Sequence, residues 1–241
     1  MIFLFTDYGL EGPYLGQVET VMRTRAPGEV IINLVADAPR NNPRASAWLL
    51  ASLIDRLPES CIVFCVVDPG VGTGADVPVA LNIDGRWYVG PDNGLFDLVC
   101  RQASAIQQAL KITWQPEVLS NSFHGRDLYA VICTMIANGD FGFGKSFTWR
   151  DRHGWPDELN EVIYIDHFGN CITGMKAFSL DPERVFRING TQIKHAGTFG
   201  EVKPVQAFWY ANSNGLLEIA VNQDSAARRL NLDIGDVISL V

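Results

Sequence analysis

The sequence predicts an α/β protein with an N-terminal layered α/β domain, built on a mostly parallel sheet, and a small C-terminal antiparallel β domain. Two patterns predict this. Residues 1–150 alternate apolar strand-like runs with amphipathic helix-like segments. Residues 161–241 contain short strand-like runs separated by turn sequences, as in a small barrel or sandwich. The polar and aromatic stretch 151–160 is predicted to be a linker.

In the first domain, apolar strands and amphipathic helices follow one another. Strands are predicted at Ile2–Thr6, Val30–Val35, Cys61–Val67, Val77–Ile83 and Arg86–Val89, and helices at Pro13–Arg25, Pro43–Leu57, 93–102 and 126–138. The unbroken apolar run Cys61–Val67 indicates a strand buried on both faces, as in a parallel sheet. Asp84–Gly85 is a tight hairpin signal between the last two strands.

In the second domain, Gly and Asn turn signals separate the strands. Strands are predicted at Ile163–Asp166, Val185–Ile188, Gln206–Tyr210, Leu216–Val221 and Asp236–Leu240, with one short helix at Ser225–Leu230.

Composition and charge exclude several classes of protein. The chain has 241 residues, of which 47% are hydrophobic and 19% charged, so a substantial core is expected. The net charge of -8 argues against nucleic acid or an anionic membrane as the main partner, since both require a basic face. No apolar run reaches the roughly 20 residues that span a bilayer. Met1–Phe5 lacks a basic flank and is predicted to be a strand, not a signal peptide.

The five cysteines form no CxxC pair. Free buried thiols are therefore expected, rather than disulfides or a metal site. A reducing, cytoplasmic setting fits this pattern.

Two acidic residues follow apolar strands at the edge where open α/β sheets bind ligands. Asp7 follows the first strand and Asp68 the third, and glycines that admit a ligand to the backbone follow each. Ordinary turns with Asp as a helix cap are the alternative. The loop "DPGVGTG" lacks the Lys-Ser/Thr ending of a P-loop, and no helical pattern follows it, as a dinucleotide fingerprint requires.

Three further polar clusters are candidate binding segments. In "NSFHGRDLY", His124 precedes a predicted helix, where backbone N–H groups point outward; a structural histidine is the alternative. "YIDHFGNCITG" and "YANSNGLLEIAVNQDS" carry Asn residues near aromatic rings. These are either hairpin turns or an adenine-reading surface. Asp7, Asp68, Asp92 and Asp127 leave a metal site open, but no ligand spacing supports one, and no metal is expected.

These clusters, in this order, resemble the S-adenosylmethionine hydroxide adenosyltransferases, the family that also contains the fluorinase and chlorinase enzymes. The matching stretches are "FTDYGLEGPYLGQVETVM", "VVDPGVGT", "YVGPDNGL", "FHGRDLYA", "YIDHFGN" and "NSNGLLEIAVNQDSAARRLNLDIGD". The resemblance implies a C-terminal β-barrel and a homotrimer, with the ligand between the N-terminal domain of one subunit and the C-terminal domain of its neighbour. It also implies attack of water or hydroxide on the 5′ carbon of S-adenosylmethionine, which yields adenosine and methionine without a cofactor.

The resemblance assigns roles to particular residues. Asp7 would grip the ribose hydroxyls, and Asn170 would read the adenine edge with help from the backbone at Gln223. Phe168 and Phe199 would enclose the base. Asp166, Ser213 and Asn214 would surround the methionine amino acid, and Tyr14 and Asn222 are further substrate-binding positions. In the hydrolytic members an Asp–Arg–His set holds the attacking water.

Asp68 and His124 match the Asp and His of that set, but Ala75 stands where the Arg is expected. Gly12 replaces a usual Asp, and Asn214 stands where the halogenating enzymes have Arg. The leading hypothesis is therefore a hydrolase of S-adenosylmethionine that is slow because of Ala75. A non-catalytic protein that binds adenosine or S-adenosylmethionine is the alternative, and a metal-dependent phosphatase is a third hypothesis.

Overall fold

A computed structural model of the protein describes residues 1–240 and contains two compact units, with the main division between Gly154 and Trp155. Each unit holds one seven-stranded sheet. No helix among the described residues is both long and apolar enough to cross a membrane. All five cysteines are buried and free, as their spacing predicted.

The first unit is an α/β domain. Its strands are β1 (Ile2–Thr6), β2 (Ile31–Val35), β3 (Ile62–Val66), β4 (Pro78–Ile83), β5 (Arg86–Pro91), β6 (Ile106–Ile112) and β7 (Gly144–Ser146). Its helices are α1 (Tyr14–Arg25), α2 (Pro43–Leu53), α3 (Asp97–Gln102) and α4 (Ala130–Ala137), with 3-10 turns at Ile54–Arg56 and a π-helical turn at Gly125–Tyr129.

The first sheet is mixed, with the strand order β2-β1-β3-β5-β4-β6-β7. Strands β2, β1, β3 and β5 run parallel, whereas the three pairings β5-β4, β4-β6 and β6-β7 are antiparallel. The prediction of a mostly parallel sheet is therefore not confirmed. The cause is the hairpin at Asp84–Gly85, where both residues have positive φ and β5 turns back on β4.

Local sequence explains where the helices begin and end. Pro13 precedes the first residue of α1, and Asn42 caps α2 by accepting a hydrogen bond from the Ala45 N–H at 3.0 Å. Helix α2 ends at Leu53, four residues before the predicted end, and continues as a 3-10 turn. Strands β1 and β3 are buried throughout, which the apolar run at 61–67 predicted.

The second unit is a curled β-sheet with one short helix, α5 (Ala226–Leu230). Its strands are β8 (Leu159–Ile165), β9 (Cys171–Lys176), β10 (Phe186–Ile188), β11 (Thr191–His195), β12 (Ala207–Ala211), β13 (Leu216–Val221) and β14 (Ser239–Leu240). The order is β14-β10-β11-β12-β13-β9-β8, and only the pairing β11-β12 is parallel.

Hydrogen bonds from the segment before β14 close this sheet against its opposite edge, β8. The Val162 N–H donates to the Asp236 carbonyl at 2.9 Å, and the Ile238 N–H donates to the Asn160 carbonyl at 2.7 Å. The sheet therefore curls as the predicted barrel does. Its core includes the fully buried side chains of Phe186 and Leu217.

The first residues of the segment predicted as a linker contact the first unit. Arg152 forms an ion pair with Asp92 at 3.3 Å, and His153 Nδ1 lies 2.8 Å from the Asp97 carboxylate. Burial raises the pKa of Asp97 to about 6, and the hydrogen bond with His153 acts in the opposite direction.

Candidate active site

Three parallel strands present their carboxyl ends at one edge of the first sheet, in the order β2, β1, β3. Asp7 follows β1 directly, and Asp68 follows β3 after one further buried valine. The chain after β2 crosses this edge, where the Ala38 N–H donates to the Thr6 carbonyl at 3.0 Å. The Asn41 N–H then donates to Asp7 Oδ2 at 2.9 Å. This edge therefore collects carboxylates from neighbouring strands, as open α/β sheets do.

The glycines after Asp68 allow two loops to meet. Gly72 has a φ of +77°, and a Cβ on it would lie 2.0 Å from the Asn121 carbonyl oxygen. Gly74 has a similar φ of +75°, but a Cβ there would meet no atom within 4 Å. Asp68 Oδ1 accepts a hydrogen bond from the Gly70 N–H at 3.1 Å. A side chain at Gly72 would thus separate the Asp68 loop from the loop that leads to His124.

His124 directly precedes the π-helical turn that opens into α4. A Cβ on Gly125 would lie 1.9 Å from the Tyr8 hydroxyl oxygen, so only glycine lets this helix start approach the loop after β1. Isolated π-helical turns occur often at functional sites. The geometry brings His124 to the same edge as Asp7 and Asp68.

These residues line a cavity of about 440 Å³, the first cavity. Four of the residues proposed from sequence lie in its wall: Asp7, Tyr14, Asp68 and His124. Tyr8, Tyr14 and Phe123 form an aromatic cluster there, with ring centroids 5.3 to 6.0 Å apart. The cavity therefore combines acidic groups, one imidazole and an aromatic wall, which suits a flat, polar ligand.

Burial dominates the electrostatics of the first cavity. It raises the pKa of Asp68, and the neighbouring Asp76 carboxylate raises it further, while the Gly70 N–H and His124 lower it. Burial also raises the pKa of Asp7, against the Asn41 N–H and the Arg40 charge. Both carboxyl groups are thus better proton acceptors than ordinary aspartates.

Arg126, in the motif "FHGRDLYA", is a candidate to supply the positive charge that Ala75 lacks, but its side chain is held elsewhere. The Arg126 guanidinium donates to both Asp127 carboxylate oxygens, at 2.6 and 3.0 Å, and to Gln17 Oε1 at 2.8 Å. It does not line the first cavity. Arg40, which was not identified from sequence, does line it and acts electrostatically on Asp7.

The second unit contains a larger cavity of about 1090 Å³, the second cavity. Seven residues proposed from sequence line it: Asp166, Phe168, Asn170, Phe199, Ser213, Asn214 and Gln223. Asn222 does not, because its amide donates to the Val202 carbonyl at 2.8 Å and secures a loop. Phe168 is 75% exposed, and Phe199 packs edge-on against Tyr210 with centroids 5.6 Å apart. Two aromatic faces therefore border this cavity.

Asp166 organises the turn between β8 and β9. Its Oδ1 accepts hydrogen bonds from the backbone N–H groups of Phe168 at 2.9 Å and Asn170 at 2.8 Å. Its Oδ2 accepts from the Asn170 side-chain amide at 3.0 Å. Gly169 has a positive φ, and a Cβ there would lie 2.1 Å from Ser225 Oγ, at the cap of α5. Turn chemistry thus places Asn170 in the cavity wall.

Glu218 was missed by the sequence analysis and lies buried beside this turn. It is 5% exposed, accepts a hydrogen bond from the Tyr210 hydroxyl, and accepts another from the Asn212 amide at 3.1 Å. Burial raises its pKa, and the Tyr210, Asn212 and Asn170 hydrogen bonds lower it. The available signal was a single carboxylate inside the apolar strand "LLEIAV".

Two of the four carboxylates that left a metal site open are paired with arginines. Asp127 pairs with Arg126 at 2.6 Å and Asp92 pairs with Arg152 at 3.3 Å. Within residues 1–240, no group of three or more His, Cys, Asp or Glu side chains converges as metal ligands do. The four carboxylates named in the phosphatase hypothesis therefore form no cation site in this part of the chain.

Comparison with protein families identifies both units. Residues 2–143 match the SAM hydroxide adenosyltransferase N-terminal domain, and residues 160–239 match the C-terminal domain of the same family. The chain belongs to this family. A protein of Thermus thermophilus named (R)-S-adenosyl-L-methionine hydrolase is 35% identical, over 100% of this chain and 99% of its own length. A protein of the same name from Salinispora tropica is 31% identical, over 96% of this chain and 94% of its own length.

A solved structure has the same fold. The crystal structure of an uncharacterized conserved protein from Thermotoga maritima superposes with a TM-score of 0.88 at 26% identity, covering 100% of this chain and 99% of that one. The resemblance deduced from the six sequence stretches is thus confirmed over the full length of the chain.

Proposed function

We propose that this protein hydrolyses S-adenosylmethionine to adenosine and L-methionine. Water or hydroxide attacks the ribose 5′ carbon, the bond from that carbon to the sulfonium sulfur breaks with its electron pair passing to sulfur, and one proton is released. The observation that carries the proposal is that Asp68 and His124 line the same cavity in a family member whose relatives are named as hydrolases of this substrate.

Asp68 is proposed to position the water and accept its proton, with His124 as its partner. A general base works best when its pKa is close to the working pH, and burial moves Asp68 in that direction. The loops that Gly72 joins hold both side chains in one wall, which supports in-line placement of the nucleophile. A chloride or fluoride ion beside two carboxylates would be repelled, so a water-derived nucleophile is favoured.

The nucleoside and the amino acid are proposed to be held by the remaining residues. Asp7 would accept one hydrogen bond from each of the two ribose hydroxyl groups, as a carboxylate does with a diol. Asn170 in the second cavity would read the adenine edge between Phe168 and Phe199. We propose that the protein acts as a homotrimer in which the two cavities of neighbouring subunits share one ligand, in line with the family resemblance.

We also propose that this protein hydrolyses S-adenosylmethionine slowly. Ala75 supplies no positive charge for hydroxide, and removal of one such electrostatic group typically costs ~10²–10³ in rate.

Five buried free thiols support a reducing, cytoplasmic setting. No cofactor takes part in the proposed reaction.

The test is a chromatographic assay of the purified protein with S-adenosylmethionine in ¹⁸O-labelled water, with adenosine and methionine followed over time. Label in the adenosine 5′ hydroxyl is expected, because water is the nucleophile. Ala75→Arg run beside it is expected to be faster, by up to ~10²-fold, if position 75 faces the attacking water.

The alternative of a non-catalytic protein that binds adenosine or S-adenosylmethionine is motivated by three departures from the family pattern, at Ala75, Gly12 and Asn214. Tight adenosine binding with no turnover in wild type, and turnover only in Ala75→Arg, would support that alternative. Turnover by wild type would exclude it.

A further inference from the structure

A second carboxylate, that of Asp76, lies beside the proposed base Asp68. The two residues stand at opposite ends of the loop between β3 and β4. A Cβ on Gly70 would lie 2.9 Å from Asp76 Oδ2 and 3.7 Å from Asp68 Oδ1, so both carboxylates approach the same point beside the Gly70 backbone. A side chain at position 70 would displace the Asp76 carboxylate, and glycine leaves room for the pair.

The Asp76 carboxylate has no partner that offsets its negative charge. Within residues 1–240, no hydrogen bond or ion pair involves its oxygens. Its side chain is partly exposed, and it shares the loop with Asp68, whose Oδ1 accepts a hydrogen bond from the Gly70 N–H at 3.1 Å. The charge of Asp76 therefore acts on Asp68 without a cation between them.

Among the side chains around Asp68, Asp76 has the strongest electrostatic effect on it. Burial is the largest cause of the raised Asp68 pKa, and the Asp76 carboxylate is the next. The Gly70 N–H and His124 lower this pKa, and Asp7 raises it less than Asp76 does. Because a like charge nearby disfavours ionisation, Asp76 makes Asp68 hold its proton more tightly.

The remaining titratable groups near the two carboxylates do not change this balance. Burial raises the pKa values of Tyr8 and Tyr129 far above neutral pH, so both phenols keep their protons. Asp92, on which Asp76 also acts, forms an ion pair with Arg152 at 3.3 Å. The pair across Gly70 is therefore the interaction that a change at position 76 alters most.

The position of Asp76 reverses the sign of charge at this end of the loop. Ala75, where the family resemblance leads us to expect Arg, directly precedes it. A positive charge here would make Asp68 a weaker base that ionises at low pH. A negative charge makes Asp68 a stronger base that ionises only at higher pH.

We infer that Asp76 is a positioning residue for the proposed reaction, whose carboxylate beside Asp68 strengthens that base and sets the lower pH limit of turnover. The inference rests on the proposed function, in which the attacking water passes a proton to Asp68 as its oxygen bonds to the 5′ carbon and methionine leaves. It adds a residue that acts on the chemistry through Asp68 and need not touch the substrate.

The kinetic test is the pH dependence of kcat at saturating S-adenosylmethionine in wild type and Asp76→Asn. At acid pH a larger fraction of Asp68 is ionised in the variant, so its kcat should be about two- to three-fold higher. At alkaline pH Asp68 is ionised in both proteins but is the weaker base in the variant, whose kcat should be about two- to three-fold lower. The two profiles should therefore cross, whereas a loss of structure would lower kcat at every pH. Profiles that run parallel would overturn the inference.

A ¹³C NMR titration of the aspartate carboxyl groups tests the same inference without turnover. The Asp68 resonance, assigned from its absence in Asp68→Asn, should titrate at a pH lower by about 0.5–1 unit in Asp76→Asn than in wild type. An unchanged midpoint would overturn the inference even if the protein hydrolyses S-adenosylmethionine. A shifted midpoint without turnover at any pH would overturn the proposed function, while the interaction of the two carboxylates would stand.

Asp55→Asn is the matched control. It makes the same change of charge on an exposed turn of the same unit, and Asp55 is not among the groups that act on Asp68. Its kcat profile and Asp68 midpoint should match those of wild type, and Asp76→Glu, which keeps the charge, should not show the crossing. Circular dichroism melts establish that each variant folds, and Asp76→Ser carries the same expectations if Asp76→Asn does not fold.

Discussion

The carboxylates that line or border the two cavities differ in how many hydrogen bonds they accept. In the first, Asp7 and Asp68 stand on loops at a sheet edge, and few hydrogen bonds offset the effect of burial on their pKa values. In the second, Asp166 accepts three hydrogen bonds and Glu218 accepts two. A carboxylate with unused acceptor capacity is suited to taking a proton, whereas a saturated one is suited to holding another group in place. The contrast is in line with the proposal that the first unit carries the chemistry and the second recognises the ligand.

The largest effect is expected from Asp68→Asn, which removes the proposed base from the first cavity. The kcat for S-adenosylmethionine should fall by ~10²–10³, because water loses its proton acceptor. Steady-state kinetics checks this, with Asp7→Asn as the paired variant, which should raise KM more than it lowers kcat. An unchanged kcat in a folded Asp68→Asn protein would remove Asp68 from the chemistry.

The loop junction behind the first cavity is tested by two glycine variants. Gly72→Ala should cost about 2–4 kcal/mol of unfolding free energy, since it combines a left-handed φ with a clash against the Asn121 carbonyl. Gly74→Ala has nearly the same φ and no neighbour, so it should cost about 1 kcal/mol. Denaturant unfolding measures both. Equal losses of unfolding free energy in the two variants would mean that the close approach of Gly72 to Asn121 does not affect stability.

A variant of the exposed Arg40 tests how strongly its positive charge lowers the pKa of Asp7 in the first cavity. Arg40 lowers the pKa of Asp7, so the Arg40→Gln variant should have a higher Asp7 pKa. The pH below which adenosine binding is lost should therefore also be higher in this variant. The shift should be under about 1 pH unit and should vanish in 1 M salt, because an exposed charge is screened. Arg44→Gln, outside the cavity wall, is the control. A shift that persists in high salt would indicate a direct contact instead.

The smallest effect concerns stability and its dependence on pH. The folded-state pKa of Asp68 is raised, so its stabilising contribution is present below the unfolded pKa and is lost as pH rises through the folded value. Asp68→Asn, neutral at every pH, should therefore melt slightly above wild type at pH 7, and the difference should shrink toward pH 3. A variant that melts lower at pH 7 would mean that ionised Asp68 is stabilised by a partner.

Patterns that depend on neighbours in the chain were predictable. The apolar runs of β1 and β3, the hairpin at Asp84–Gly85 and the cap of α5 follow from local burial, turn and capping preferences. Strands β6, β7, β9 and β11 were missed. Strand β6, for example, exposes Gln107 and Gln108 in succession, which breaks the alternation that marks a half-buried strand.

By itself, the sequence determined the family, the α/β and β architecture and the candidates Asp7, Asp68, His124 and Asn170, because motif strings and strand ends are local properties. Tertiary structure alone decided which side chains share a wall. It brought Arg40 to the first cavity and Gln17 to the Arg126 guanidinium. It also placed Glu218 beside Asn170, across 48 residues of sequence that β-pairing brings together. Such contacts depend on strand order and register, which the pairing of distant segments sets and no local pattern encodes.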